Sequence, residues 1–487
     1  MQAGWQLRAA FARQLSLMYG AEVPAYPTLV QVAGQVNAEV LARDGADAER
    51  LGAIDRVTAE RHAAIRVGTV GELTQARRLF AAFGMAPVGF YDLREPGGAG
   101  VPVVSTAFRP VTASELARNP FRVFTSVLVT DDRRYFDGDL QARLENRLAH
   151  RQLFGDELLS LADRTAAEGG LPGSDADRLV ALATAAFRLS TEPVDHAWYD
   201  ELAAVSPVAA DIGGVPTTHI NHLTPRVLDI DELYRRMEEH GIEMIDAIQG
   251  PPRWSGPEVL LRQTSFRALA EPRRFREPDG SVNTGSLRVR FGEVEARGIA
   301  LTPTGRDRYD TLIAEIDAAV SDGADRDEVA PAIWARGLPH REAELESTGL
   351  GYFTYRVADP ASRARIRARE AGPTRLLAEL VSHGSVLAEP IVYEDFLPRS
   401  AAGIFASNLE RPASVQESAP DADGGPVRDL AWLSGAIGAD VHDPMQLYAA
   451  HRRASLDEVA IALGRDPAGL VPPPGTTNRD TTTRENP

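Results

Sequence analysis

RVRFGEVEARGIALT, residues 288–302, places two carboxylates, Glu293 and Glu295, two positions apart in a run otherwise rich in Val, Phe, Ile and Leu. Successive side chains of a β-strand point to opposite faces, so residues i and i+2 share one. Read as a strand, the segment puts both acids on the same face. A half-buried strand ordinarily turns its charges to water and its apolar residues inward. Two histidine-bearing strands elsewhere in the chain argue for the opposite orientation here.

Upstream, RHAAIRVGT begins at Arg61 and reads as a short strand. Residues 70–83 then have helical spacing, with Leu73, Ala76, Leu79 and Phe80 on one stripe and Gly84 placed as a C-terminal glycine. APVGFYDL, VPVVSTAF and FRVFTSVLV follow as three extended runs separated by Gly, Pro and polar turns. The same order returns later: THINHLTPRVLDI, a helix over 231–240 closed by Gly241, then IEMIDAI, EVLLRQTSF and RVRFGEVEARG as three more strands. Two βαβββ units result, and they can be laid over each other. His62 is followed four places on by Arg66, and His222 by Arg226; Leu73 and Leu233 each sit seven beyond that Arg. Gly84 and Gly241 lie 22 and 19 residues beyond their histidines, a spread ordinary for diverged copies. The match selects His222 over His219, since two residues three apart on a strand face opposite ways. His219 is expected to cap or line the strand entry.

The chain therefore divides, on its sequence, into an N-terminal helical layer (1–58), a first βαβββ module (59–135), a helical insertion (136–213) and a second module (214–302). Residues 303–409 read as helices with one short strand, GYFTYRV, followed by a pocket-lining strand and Ser-Ala-Ala-Gly turn in EPIVYEDFLPRSAAGIFASNL. Residues 410–487 form a C-terminal segment, Pro/Gly-rich and disordered at its end. The expected fold class is α+β, with paired modules closing their sheets around a metal-holding cavity and large helical insertions.

Composition narrows the chemistry. The chain has 487 residues, no Cys, and a formal net charge of -17. Disulfides, thiolate nucleophiles and Cys-ligated zinc or iron–sulfur centres are excluded. All 52 basic residues are Arg, so Schiff-base chemistry, pyridoxal phosphate and a Walker A loop are excluded too, each needing a Lys amine. Nucleic acid is not an expected partner of so acidic a chain. No run reaches the length of a membrane span and the N-terminus lacks a continuous apolar core, so no membrane partner and a cytoplasmic location are expected. Nothing in the sequence speaks to oligomeric state.

Two modules of this kind can bring one His from each first strand, His62 and His222, to a common cavity, where an acid from the last strand of the second module completes a set of two imidazoles and one carboxylate. That set is the facial triad of non-haem Fe(II) oxygenases, which leaves positions open for substrate and dioxygen. Strand parity alone does not separate Glu293 from Glu295. Arg66, four residues beyond His62 on the same face and about 13 Å along at roughly 3.3 Å per residue, could hold a carboxylate in a bidentate fork.

RHAAIRVGT, HINHLTPR, LLRQTSFRAL, RFGEVEARGIALTPTGR and YEDFLPRSAAGIF, taken together and in order, resemble the 2-oxoadipate dioxygenase/decarboxylase family of the vicinal-oxygen-chelate superfamily across nearly the whole chain. The resemblance implies conversion of 2-oxoadipate and O2 to D-2-hydroxyglutarate and carbon dioxide in lysine catabolism, with Fe(II) as the cofactor. It places the iron ligands on His62, His222 and Glu293, and the contacts to a small 2-oxo dicarboxylic acid on His62, Arg66 and the main chain at Arg399. The resemblance implies a small apolar residue in better-known relatives where this chain has Arg399, which bears on which oxo acid is preferred. The oxo acid brings its own electrons, so no flavin or nicotinamide is required. Two other readings use the same frame: a glyoxalase-like isomerase or lyase with Zn or Ni, which would work without oxygen, and a non-catalytic protein that binds a small acid.

Overall fold

The computed structural model describes residues 1–94, 100–359, 377–398, 408 and 427–464. In chain order its first compact unit contains helices α1 (Gly4–Glu22) and α2 (Ala25–Asp44), strand β1 (Arg61–Val67), α3 (Val70–Ala82), β2 (Ala86–Asp92), β3 (Val103–Arg109), the short α4 (Ala113–Arg118) and β4 (Arg122–Leu128). Five helices of the insertion follow: α5 (Gly138–Ala149), α6 (Asp156–Glu168), α7 (Gly173–Ala186), α8 (His196–Val205) and α9 (Pro207–Gly213). The second module supplies β5 (His222–Pro225), α10 (Ile230–Glu239), β6 (Leu261–Phe266), a hairpin of β7 (Glu271–Arg276) and β8 (Val282–Leu287), and β9 (Gly292–Arg297).

Both crossover helices start and stop for reasons visible in the sequence. Thr69 accepts from the Glu72 amide at 3.1 Å and the Glu72 carboxylate accepts from the Thr69 amide at 3.3 Å, which satisfies two otherwise orphaned N–H groups of α3. Asp229 caps α10 by accepting from the Glu232 amide at 3.0 Å. Each helix is followed by a left-handed glycine, Gly84 at φ 66° and Gly241 at φ 71°, where a side chain would be strained.

The sheet order repeats the duplication. Within the first module β1 runs parallel to β4, β4 antiparallel to β3, and β3 antiparallel to β2. Within the second, Arg226, next after β5, forms a parallel bridge to Glu295 on β9, with the Val227 amide donating to the Glu295 carbonyl at 2.8 Å; β9 is antiparallel to β6. β1 and β5 join the modules antiparallel, His62 opposite Thr224 and Ala64 opposite His222. Two copies of one strand order thus meet along their first strands.

Alternation on β1 sets the two sides of this sheet. Ala63, Ile65 and Val67 enter a large apolar core with residues of α1, α2, α3 and the insertion, while His62, Ala64 and Arg66 take the other face, which is buried as well. A buried second face is why polar residues there must find partners or ligands.

Some expectations change. IEMIDAI is not a regular strand: Met244 and Ile245 are buried in succession, Asp246 and Ala247 are exposed, and it meets β6 at the isolated bridge Met244–Phe266, with Gln249–Gln263 just after it. The hairpin β7–β8, turning through Asp279 and Gly280, and the helix α4 escaped the sequence reading. A second compact unit comprises 252–258, 299–392 and 445–487; there GYFTYRV contains the strand Phe353–Val357, paired antiparallel with Val386–Pro390. The strand expected in EPIVYEDFLP thus lies mainly earlier in the chain. Arg399 with its Ser-Ala-Ala-Gly turn, and the tail from 465, lie outside the described residues. Among the described residues no helix is long and apolar enough to cross a membrane.

Candidate metal centre

Cross-strand partners share a face, so the register alone assembles the buried row around His62. Thr224 stands opposite it on β5 and Arg122 beside it on β4; Ala64 aligns with His222 and Phe124, and Arg66 with Ser126. Past the Arg226–Glu295 bridge, Glu295 and Glu293 join the same face, opposite Gln263 and Ser265 of β6. All of these side chains are buried. A sheet that is polar on its inner face and closed to water is built to hold something charged.

At the centre of that row His62, His222 and Glu293 converge, each offering one donor atom within 4.8 Å of the others. His62 Nε2 lies 3.6 Å from Glu293 Oε1, and His222 Nδ1 lies 3.3 Å from Glu293 Oε2. The imidazoles meet edge to face with centroids 5.2 Å apart. Phe396 stands edge-on to His62 at 5.0 Å and Phe291 stacks on His222 at 5.2 Å. These rings fix the imidazole planes and keep water from them. Gln263 donates to Glu293 Oε1, and Thr224 Oγ1 lies 3.0 Å from His222 Nδ1.

The two acids of the strand are differently placed. Glu295 reaches the other side of the His62 ring, Oε2 to Nδ1 at 2.8 Å, and is gripped by Arg297 through two bonds of 2.7 and 2.9 Å. Parity put both acids on one face; the fold brings Glu293 to both histidines and leaves Glu295 behind one of them. Burial would raise Glu295, but Arg297 and then His62 outweigh it and hold its carboxyl down to about 2. For Glu293, burial and then the charge of Glu295 outweigh the more distant pull of Arg297 and push it well above the usual carboxylate range. Burial also lowers both histidines, against the pull of Glu295 on His62 and with His62 and Arg66 adding to it on His222, which favours the neutral form of each.

These observations test whether the residues suit a metal ion. Neutral imidazoles and a carboxylate are the donor types of a 2-His-1-carboxylate site. Both ring nitrogens of His62 are buried without a hydrogen-bond partner, Nδ1 facing Glu295 as a charge contact only. Glu293 is a buried acid short of positive charge, which a divalent cation would supply. The set fits.

Behind the site lies a buried network that sequence reasoning missed. Glu60 meets Arg122 at 2.6 Å and Arg226 at 3.0 Å, and Glu394 pairs with Arg122 and with Arg56. Burial, reinforced by Arg297, lowers Arg122 to about 10 against the pull of Glu60 and Glu295. Glu60 could have been found by parity, two residues before His62; Glu394 carries no local signal.

Arg66 lies on the face of the triad, as its spacing from His62 requires, and its Nη1 donates to Asp211 of α9. Asp211 also accepts from Asn221 Nδ2 at 2.8 Å and lies 3.3 Å from His219 Nε2. His219 thus belongs to the brace behind Arg66 and stays outside the triad. Arg226, the duplicate of Arg66, is occupied by Glu60 and by the carbonyls of Leu51 and Arg297. One arm of the repeat has become structural.

Comparison with known proteins gives a consistent picture. The family profile described as 2-oxoadipate dioxygenase/decarboxylase matches residues 11–408. The chain is 56% identical over 448 residues to the Mycobacterium tuberculosis (strain H37Rv) protein named 2-oxoadipate dioxygenase/decarboxylase, covering 92% of this chain and 96% of that one. It is 41% identical over 468 residues to the protein of that name from Pseudomonas putida, covering 94% and 97%. The crystal structure of the hydroxyglutarate synthase in complex with 2-oxoadipate from Pseudomonas putida is similar with a TM-score of 0.79 and 39% identity, covering 95% of this chain and 99% of that one.

Proposed function

The chain belongs to the 2-oxoadipate dioxygenase/decarboxylase family, and from that premise we propose that it uses Fe(II), held by His62, His222 and Glu293, to convert 2-oxoadipate and O2 to D-2-hydroxyglutarate and carbon dioxide. The single observation that carries the reading is the convergence of those three donors on one buried face shared by both modules. When bound, a ferrous ion supplies the redox chemistry with dioxygen, while the protein binds, orients and shields. One carbon leaves as carbon dioxide, and both oxygen atoms of O2 end in the five-carbon hydroxy acid, so the oxo acid itself is the reductant.

The chain's own residues divide the remaining work. Arg66 holds the far carboxylate of the substrate, its guanidinium aimed by Asp211. A substrate without that carboxylate leaves Arg66 and Asp211 to each other and forfeits a charge-assisted contact. Phe291, Phe396 and Phe124 wall the space and exclude water. Gln263 fixes the Glu293 carboxylate and Thr224 the His222 ring. The main chain at Arg399 is proposed to touch the substrate as well; it lies outside the described residues. We place the activity in cytoplasmic lysine breakdown.

Metal-free protein reconstituted with Fe(II) and given 2-oxoadipate in air should consume O2 and release carbon dioxide and D-2-hydroxyglutarate in equal amounts. Turnover that continues without O2, or binding of the oxo acid with no O2 uptake, would overturn the reading.

A further inference from the structure

We infer that Glu295 is a positioning residue for the metal centre: its carboxylate, set against Nδ1 of His62, favours the tautomer that carries the proton on Nδ1 and leaves Nε2 as the free donor. The inference rests on the assignment of His62 as a metal ligand and deepens it. His62 stands between the two acids of one strand, Nδ1 at 2.8 Å from Glu295 Oε2 and Nε2 at 3.6 Å from Glu293 Oε1. A neutral imidazole carries one N–H and one lone pair, and the group bonded to one nitrogen decides which function the other has. An ionised carboxylate is an acceptor only. Facing Nδ1 at 2.8 Å, its negative charge favours the proton there and leaves the lone pair at Nε2, on the side of Glu293 and His222.

The state of Glu295 is itself secured by the fold. Arg297 forks onto it, and the Arg297 Nη1 donates to the carbonyls of Tyr393 at 2.8 Å and Asp395 at 3.0 Å. The ring cannot tilt freely either, since Phe396 lies edge-on to it and the Arg297 guanidinium lies 5.6 Å over the Phe396 ring. A chain from main-chain carbonyls through Arg297 and Glu295 thus ends at His62 Nδ1, across the ring from the donor nitrogen. His222 differs: among the described residues its Nδ1 neighbours are the Thr224 hydroxyl and Glu293, itself a proposed ligand. Of the two acids in FGEVE, the first holds the ion and the second aims a ligand. Outer-shell partners of this type raise ligand basicity, and their loss commonly weakens metal affinity about 10–100-fold.

The test is Co(II) titration of metal-free, full-length protein, followed by visible absorption, with circular dichroism as the fold control. Glu295→Gln keeps shape and reach but offers Nδ1 an uncharged amide; Co(II) affinity is expected to fall 10–100-fold with the fold intact. Glu295→Asp keeps the charge beside Arg297 and draws the oxygen back from Nδ1 by one methylene. It is expected to weaken Co(II) in the same sense, and it decides the matter where the Gln variant does not fold. His62→Ala separates this inference from its premise. If His62→Ala binds Co(II) as tightly as the parent, His62 is not a ligand and the site assignment fails. If His62→Ala loses Co(II) while the folded Glu295 variants stay within threefold of the parent, the premise stands and the positioning role is overturned.

Discussion

Asp211 accepts a hydrogen bond from Arg66 Nη1 with both side chains almost wholly buried. Burial raises the Asp211 carboxyl, but His219 and Arg66 outweigh it and hold it below the usual range. Removing one member of such a pair strands the other charge without water. Asp211→Ala is therefore expected to destabilise the protein by about 3–5 kcal/mol, and Arg66→Met with Asp211→Asn to recover much of that loss. Urea unfolding midpoints measure both; a double variant no better than Asp211→Ala would show that the pair is not what the residues owe each other.

Arg66→Gln combined with Asp211→Asn removes the proposed grip on the distal carboxylate without stranding a buried charge, and leaves the triad in place. A charge-assisted contact of about 1.5–3 kcal/mol implies kcat/KM for 2-oxoadipate about 10–100-fold lower, mostly through KM. A 2-oxo acid of the same length lacking the second carboxylate should lose little. Equal losses on both substrates would remove Arg66 from recognition.

His62→Ala, His222→Ala and Glu293→Ala should each yield protein that retains little iron after desalting and turns over at or near background. The discriminating variant is Glu293→Ala. Iron content and turnover that survive it would move the third ligand away from Glu293.

Glu293 also makes the metal-free protein sensitive to pH. Its folded pKa is raised by burial and by Glu295, so the protonated form is favoured on folding. Its contribution is full below the ordinary carboxylate range and is lost as pH rises through the raised value. Metal-free protein should accordingly lose stability with rising pH more steeply than its Glu293→Gln variant, and Co(II) should reverse that trend in the parent alone, since the ligand must be deprotonated to bind and the variant lacks it. Thermal melts at several pH values with and without Co(II) check this; parallel curves for parent and variant would refute it.

The duplication was legible because a βαβββ unit leaves local marks: a cap, an apolar helical stripe, a left-handed glycine, and alternation along strands. Those marks single out His62, His222 and the paired acids from local pattern alone. IEMIDAI misled because its apolar residues suggest a strand, whereas burial of neighbours Met244 and Ile245 follows from the bulk packed around them. The hairpin β7–β8 went unread because its strands are largely exposed and carry Arg, Glu and Asn in place of a hydrophobic alternation.

By itself the sequence determined that two like modules exist, that cysteine and lysine chemistry are absent, and that Glu293 and Glu295 share a face, because composition and strand parity are properties of the chain alone. Only the tertiary structure decided which acid meets both histidines, that Arg226 serves Glu60 while Arg66 stays with the triad, and that Asp211, Glu60 and Glu394 stand behind the site. Those outcomes depend on which strands become neighbours and on the register between them. Pairing of that kind joins residues hundreds of positions apart, and no local pattern encodes it.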